Sequence, residues 1–380
     1  MSRLERDELA AYLALAEVPG IGPARLRTLV AAFESAAGAL HAPHGAIAAL
    51  PGLSRAAATA IRACSPKSGH DILERLERLG ASLLLPDDPA FPPLLREISE
   101  PPVLLYVWGD AAQLNRPAVG VVGSRDHTAY GAEAARLLAS GVARVGVVVV
   151  SGMARGIDAI AHAAALDAGG PSVGVLANGF GVIYPAANRP LYERMIAHGC
   201  LITELPPGER PHAGAFPRRN RLISGVAGVT VVVEAAANSG ALITADCALD
   251  QGRTVLAVPG PITSPTSVGC NKLIQQGAKP ALSAGDVLEE LGLPRSGHDE
   301  PGAEAPGHHS AVGRLATPAP PPDLSTLQRS LWDLLTAEPK HVDALVAAAG
   351  AETGQVLTAL TELELKGLVK QEAGMRFCLG

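Results

Sequence analysis

Aromatic side chains are scarce, at 3% of 380 residues. A protein that holds a polymer by stacking successive bases on rings needs more of them, so a long stacking platform is excluded. Cysteine is scarce too. Cys64, Cys200, Cys247, Cys270 and Cys378 are scattered, odd in number and without a C-x-x-C pair. That pattern indicates neither a zinc site nor a disulfide framework and fits a reducing compartment. Positive charge is not in surplus either: 31 basic residues face 37 acidic ones, a formal net charge of −6. Any surface for a polyanion must therefore be a local patch where arginines converge. The apolar run around Val147 to Val150 is far too short to span a bilayer. The opening Met1-Ser2-Arg3-Leu4-Glu5-Arg6-Asp7-Glu8 mixes charges with no apolar segment, which argues against a secretory signal. A cytoplasmic protein with no membrane partner and no metal site is expected.

The chain is 48% hydrophobic and 18% charged, and its length suffices for two or three folded domains. Between about Leu9 and Ala63, two similar turns, Val18-Pro19-Gly20-Ile21-Gly22-Pro23 and Leu50-Pro51-Gly52-Leu53-Ser54, each lead into an Ala-rich helical pattern. They resemble the helix-hairpin-helix repeat, in which glycine N–H groups meet a backbone phosphate. The other reading is a small helical bundle that uses the turns only as connections. From Pro86 the texture becomes proline-punctuated and extended, and Pro101 to Gly109 reads as a lead-in strand. Between Ala118 and Leu291, short runs apolar on both faces (Val119 to Val122, Val147 to Val150, Val173 to Leu176, Leu201-Ile202, Val229 to Val233, Val255 to Val258) alternate with helical patterns. Such alternation predicts a doubly wound parallel α/β sheet, Rossmann-like and covered on both sides.

Residues 294–322 are rich in Pro, Gly, Ala and His without apolar periodicity and read as a linker, with His298, His308 and His309 as solvated linker residues. Residues 323–380 read as three helices and a terminal hairpin turning at Ala373-Gly374, the order of a winged helix. On its candidate recognition helix, Glu362 and Glu364 outnumber Lys366, so groove insertion would meet phosphate repulsion and a protein-contact role is expected. The expected domains are thus 1–80 (helical), 81–293 (α/β), 294–322 (linker) and 323–380 (winged helix).

In a doubly wound sheet, ligands sit beyond the carboxyl ends of the strands. The residues expected there are Gly123-Ser124-Arg125, Ser151 to Gly156, Asn178 to Gly181, Glu204, Glu234 to Gly240 and Pro259-Gly260. Gly lets a backbone approach an anion, Ser adds a hydroxyl donor, and the following helix offers N–H groups. Phe216-Pro217-Arg218-Arg219-Asn220-Arg221 opens a further helix with clustered guanidinium groups, another anion site. A dinucleotide fits poorly, because the first turn lacks G-x-G-x-x-G and Ser151 stands where an acid would hold a ribose. No G-x-S-x-G elbow supports a nucleophilic hydrolase, and Asp158 and His162, spaced i, i+4, suggest an intrahelical contact. Glu234 at a strand end leaves one enzymatic alternative, a nucleoside-monophosphate phosphoribohydrolase, although Ala236 to Ala241 lacks that family's P-G-G-x-G-T turn.

Taken together, Tyr106-x-x-Gly109, Gly123-Ser124-Arg125, Tyr130-Gly131, Ser151-Gly152-Met153-Ala154-Arg155-Gly156-Ile157-Asp158-x-x-Ala161-His162, Tyr184-Pro185-x-x-Asn188, Phe216 to Ile223, Glu234-Ala235, Ser239-Gly240, Thr244, Pro259-Gly260 and Gly277-Ala278 resemble the DNA-processing protein A family (DprA, also called Smf). The resemblance runs through the whole α/β domain in order. It implies a non-enzymatic, cofactor-free protein that binds single-stranded DNA and protects it from nucleases. It also implies a homodimer that helps load the RecA recombinase during natural transformation. By motif, Gly123, Ser124, Arg125, Ser151, Gly152 and Arg155 would line a phosphate track, Arg218, Arg219, Asn220 and Arg221 would extend it, and Ser239, Gly240 and Lys272 would close it. The chain departs from the family's pattern at Asn178 and at Ser264-Pro265.

Overall fold

A computed structural model describes residues 3–294, 324–335, 340–366, 368–372 and 375–379. The expected linker, its histidines and the Ala373-Gly374 turn lie outside these. The chain divides into two compact units, one before and one after the undescribed stretch 295–323.

The first unit begins with α1 (Arg3–Ala16), α2 (Pro23–Phe33), α3 (Ala36–His41), α4 (His44–Ala48), α5 (Arg55–Ala63) and α6 (Pro66–Leu79). The two similar sequences between these helices fold into the same turn. Ile21 N donates to Val18 O at 3.0 Å and Leu53 N to Leu50 O at 3.1 Å. The second copy lacks the second glycine but keeps the turn, because only the first must be left-handed, with φ of 82° at Gly20 and 75° at Gly52. Ser54 instead caps α5, accepting from Ala57 N at 3.1 Å. Two of these helices share a core with the sheet that follows: Ala10 and Leu13 of α1 and Ile72, Leu73 and Leu76 of α6 cluster with Leu104, Tyr106 and Leu201, whereas Leu26, Leu29, Ile47 and Ile61 of α2, α4 and α5 pack in a helical core of their own. Helices α1 and α6 touch because Gly69 has no side chain; a Cβ there would run into the backbone of Ala10.

The sheet is built from β1 (Ser82–Leu84), β2 (Leu105–Gly109), β3 (Ala118–Val122), β4 (Val148–Ser151), β5 (Ser172–Val175), β6 (Cys200–Thr203), β7 (Val229–Val232), β8 (Thr254–Ala257) and β9 (Lys279–Pro280). Between strands run α7 (Pro93–Arg96), α8 (Ala129–Arg144), α9 (Ile157–Asp167), α10 (Arg189–His198), α11 (Ala215–Val226), α12 (Gly240–Asp250) and α13 (Val268–Gln275), with α14 (Ala284–Glu290) after β9. The order across the sheet is β1-β2-β6-β5-β4-β3-β7-β8-β9. Pairing is parallel from β6 to β9, whereas β2 runs antiparallel to β6 and β1 antiparallel to β2. The lead-in segment therefore becomes an antiparallel margin.

Both faces of the central strands are apolar because both are covered. Val119 and Val121 pack with Ala135, Leu138 and Ala139 of α8, Ala161 of α9 and Val287 of α14. Ala118 and Val122, pointing the other way, pack with Leu95 of α7, Leu222 of α11, Ala245 of α12 and Cys270 of α13. The chain steps outward from β3 to β6 and then returns to place β7 on the other side of β3. The order reverses between β3 and β7, where a cleft must open at the strands' carboxyl ends.

The second unit comprises α15 (Thr326–Leu334), β10 (Lys340–His341), α16 (Val342–Ala349), α17 (Thr353–Leu365), β11 (Val369–Glu372) and β12 (Arg376–Leu379). Its sheet order is β10-β12-β11, around a separate core that includes Leu331, Leu345, Val356, Leu360, Leu363 and Phe377. Three helices closed by a hairpin form a winged-helix arrangement, as the sequence predicts.

Candidate nucleic-acid interface

The reversal point holds a cleft of about 910 Å³. Five stretches far apart in sequence line it: Gly123 to Arg125 after β3, Ala154 and Asp158 after β4, Phe216, Pro217, Arg219 and Asn220 on α11, Ala236 to Ala241 after β7, and Pro265 and Val268 after β8. A smaller pocket adjoins it, lined by Arg125, Arg155, Asn178, Tyr184 and Phe216 among others. Arg125 and Phe216 line both.

The turn after β3 behaves as its residue types suggest. Ser124 Oγ accepts from Asp126 N at 3.1 Å, which tightens the turn and leaves the hydroxyl proton free to donate. Arg125 is exposed, and its guanidinium lies over the Phe216 ring. Across the cleft, Ser239 caps α12, accepting from Ala241 N at 3.3 Å, and Gly240 stands exposed as the helix's first residue. Asn220 bridges the two sides, since its amide donates to Gly240 O at 3.3 Å.

The helix after β3 does not offer its N-terminus to a ligand as expected. Glu234, 2% exposed at the end of β7, accepts from Thr128 N at 2.9 Å and from Thr128 Oγ1 at 2.6 Å. A carboxylate of the chain itself thus occupies the start of α8, where a dinucleotide's pyrophosphate would sit. The same contacts bury the acid on which the phosphoribohydrolase alternative depends.

The loop after β4 is wired from three directions. Asp158 accepts from Gly152 N at 3.1 Å and Ala154 N at 3.4 Å. Asn188 Nδ2 donates to Met153 O at 2.9 Å and Ala154 O at 3.2 Å. Arg219 Nη1 donates to Gly152 O and to Val175 O, each at 2.5 Å. Gly156, at φ 78°, lets this loop lie against the turn after β3, because a Cβ would strike the backbone of Ser124 and Arg125. Burial pushes the Asp158 carboxyl above its usual range and the Arg219 guanidinium below its own. The expected Asp158–His162 contact does not form. Asp158 serves the loop, and His162 Nδ1 lies 2.8 Å from Ser172 Oγ.

The expected site residues divide accordingly. Gly123, Ser124, Arg125, Asn220, Ser239 and Gly240 meet in the cleft, with Gly152 and Arg155 in the adjoining pocket. Ser151 is 0% exposed and donates to Val121 O at 2.6 Å, a tie between strands that leaves its hydroxyl nothing to give a phosphate. The three arginines of α11 diverge. The helix starts at Ala215, two residues before Pro217, and a rotation of about 100° per residue turns consecutive side chains apart. Arg218 is exposed but does not line the cleft, Arg219 lines the cleft floor at only 6% exposure, and Arg221 is paired with Glu204 through Nη2, at 2.6 and 2.7 Å. Lys272 is exposed on α13 outside the cleft lining. The residues overlooked are those that hold the loop, Asp158 and Asn188. Asn188 was visible only as a spacing after Tyr184-Pro185, and Asp158 was masked by its helical register with His162.

Residues 82–292 match the family described as DNA recombination-mediator protein A, and residues 316–375 match the DprA winged helix domain. The chain is 34% identical to Protein Smf of Synechocystis sp. over 98% of this chain and 99% of that one. It is 46% identical to DNA processing protein DprA of Bacillus subtilis over 53% of this chain and 68% of that one. The crystal structure of DNA processing protein A from Streptococcus pneumoniae aligns with a TM-score of 0.66 at 33% identity, covering 74% of this chain and 97% of that one. DNA processing protein A from Helicobacter pylori, which has a unique single-stranded DNA binding mode, aligns with a TM-score of 0.50 at 28% identity over 56% of this chain and 95% of that one.

Proposed function

This chain belongs to the DNA recombination-mediator protein A family, and from that premise we propose that it is a non-enzymatic DNA-processing protein that binds single-stranded DNA in the β3/β7 cleft. The observation that carries the reading is the meeting, at one reversal point, of Gly123-Ser124-Arg125, the α11 start and Ser239-Gly240. A basic arginine, hydroxyls and unhindered backbone are what a chain of phosphates requires. A single strand is flexible enough to follow such a cleft, whereas a duplex holds its phosphates on a stiff outer surface. With few rings available, affinity comes chiefly from phosphates. Neutralising about five to six of them gives a slope of log affinity against log salt of roughly −4, at about −0.7 per phosphate.

The protein protects the strand, acts as a homodimer through its α/β domain, and hands the strand to the RecA recombinase during natural transformation. The second unit contacts protein rather than duplex. Support for the non-enzymatic reading comes from Glu234, whose carboxylate is engaged by Thr128.

Affinity for single-stranded against duplex DNA of equal length tests the proposal, followed by recombinase-loading and nuclease-protection assays. Preference for the duplex, or release of free base from nucleoside monophosphates, would overturn it.

A further inference from the structure

We propose that Arg219 is a positioning residue. It shapes the loop 152–156 so that Arg155 faces the pocket shared with Arg125, and it does not itself hold a phosphate. This rests on the single-strand reading above and assigns a different task to one of its arginines.

Three observations carry it. Arg219 is 6% exposed, and one of its nitrogens donates both to Gly152 O and to Val175 O at 2.5 Å, joining the loop after β4 to the end of β5. The loop needs such restraint, since Met153 sits at φ 55°, a left-handed conformation that is unfavourable for a non-glycine residue and persists only when its surroundings over-determine it. The remaining restraints are Asp158 on the amide side and Asn188 on the carbonyl side, so Arg219 completes a frame around residues 152–154. Gly152 is part of the same fit, because a Cβ at this position would collide with the Arg219 guanidinium. Arg155 is exposed at the end of this framed loop and lines one pocket with Arg125.

A double-mutant cycle on the full chain tests the assignment, with oligothymidylate as the probe and affinity measured across a salt series. Arg219→Gln should lower affinity about tenfold in a protein that remains folded by circular dichroism. Adding Arg155→Ala to it should cost less than twofold more, because Arg155 has already lost its place. Asn188→Ala, which loosens the same loop from outside the cleft, should lower affinity in the same way and should also couple to Arg155→Ala. Additive losses, each removing about 0.7 from the salt slope, would mean that Arg219 touches phosphate itself and would overturn the proposal. Undiminished affinity in folded Arg219→Gln would reduce its role to stability and overturn it equally. Amide hydrogen exchange without DNA separates this from a failure of the binding reading. If wild type does not bind single strands, faster exchange across residues 152–156 in Arg219→Gln and Asn188→Ala still supports the frame, and unchanged exchange refutes it.

Discussion

The Arg125 guanidinium lies 5.6 Å from the centroid of the Phe216 ring, so the turn after β3 and the start of α11 hold a cation against an aromatic face. Such a contact is worth about 0.5–1 kcal/mol at an exposed site, enough to orient the arm without neutralising its charge. Arg125→Ala is expected to weaken single-strand binding roughly tenfold for all base sequences alike, and to reduce the salt slope by about 0.7. Phe216→Leu keeps the charge and loses only the support. It should weaken binding less and leave the slope unchanged. Fluorescence anisotropy with several homopolymers over a salt series checks both.

Arg221 is committed elsewhere. Its side chain and that of Glu204 are 16% and 18% exposed. Removing one partner leaves the other partly buried and unpaired, for which about 1–3 kcal/mol is expected. Glu204→Ala and Arg221→Ala should each lower the midpoint of urea unfolding, while neither changes the salt slope of DNA binding. A slope reduced in Arg221→Ala alone would place that arginine on the phosphate track.

His162 gives the protein a defined acid sensitivity. Ser172 Oγ donates to Val149 O at 2.9 Å, so it accepts from His162, which must carry its proton on Nδ1. Burial pushes the imidazole down to about 3 from an ordinary value of 6.5. Below pH 6.5 the unfolded chain takes up a proton that the folded one refuses, so stability falls as pH drops towards 3, by up to about 1.4 kcal/mol per pH unit. Asp158 acts in the opposite sense. Its raised value keeps a proton on the folded state above 3.8, and stability there declines as pH rises. The stability difference between wild type and His162→Gln isolates the histidine. That difference should shift against wild type as pH falls from 6.5 to 5, measured by urea unfolding; a constant difference would refute the account.

The second unit has its own core, and the residues of the cleft all belong to the first. A chain ending at residue 294 should therefore keep the single-strand affinity of the full protein. Loss of binding in a truncated chain that still unfolds cooperatively would contradict this division.

Much of the fold was written in residue order. Valine runs that are apolar on both faces, as at Val119 to Val122 and Val229 to Val232, can be buried only in a sheet covered twice, and that requirement dictates helical crossovers and parallel strands. The antiparallel margin at β2 left no such mark, because pairing direction depends on which strand lies alongside and not on a strand's own alternation. Within the site, Gly123-Ser124-Arg125 and Ser239-Gly240 were recognisable because glycine and hydroxyl residues at strand ends have a local reason to be there.

The sequence by itself determined that strands and helices alternate, where the strands end, and which residue types stand at those ends, since each of these follows from periodicity and side-chain chemistry over a few positions. Only the tertiary structure decided what each arginine does. Arg218 is exposed, Arg219 turns under the loop to donate to carbonyls, and Arg221 meets Glu204. The reason is geometric. A helix rotates its side chains apart by a fixed angle, so three basic neighbours in sequence face three surroundings, and those surroundings are supplied by strands and loops that the local sequence does not contain.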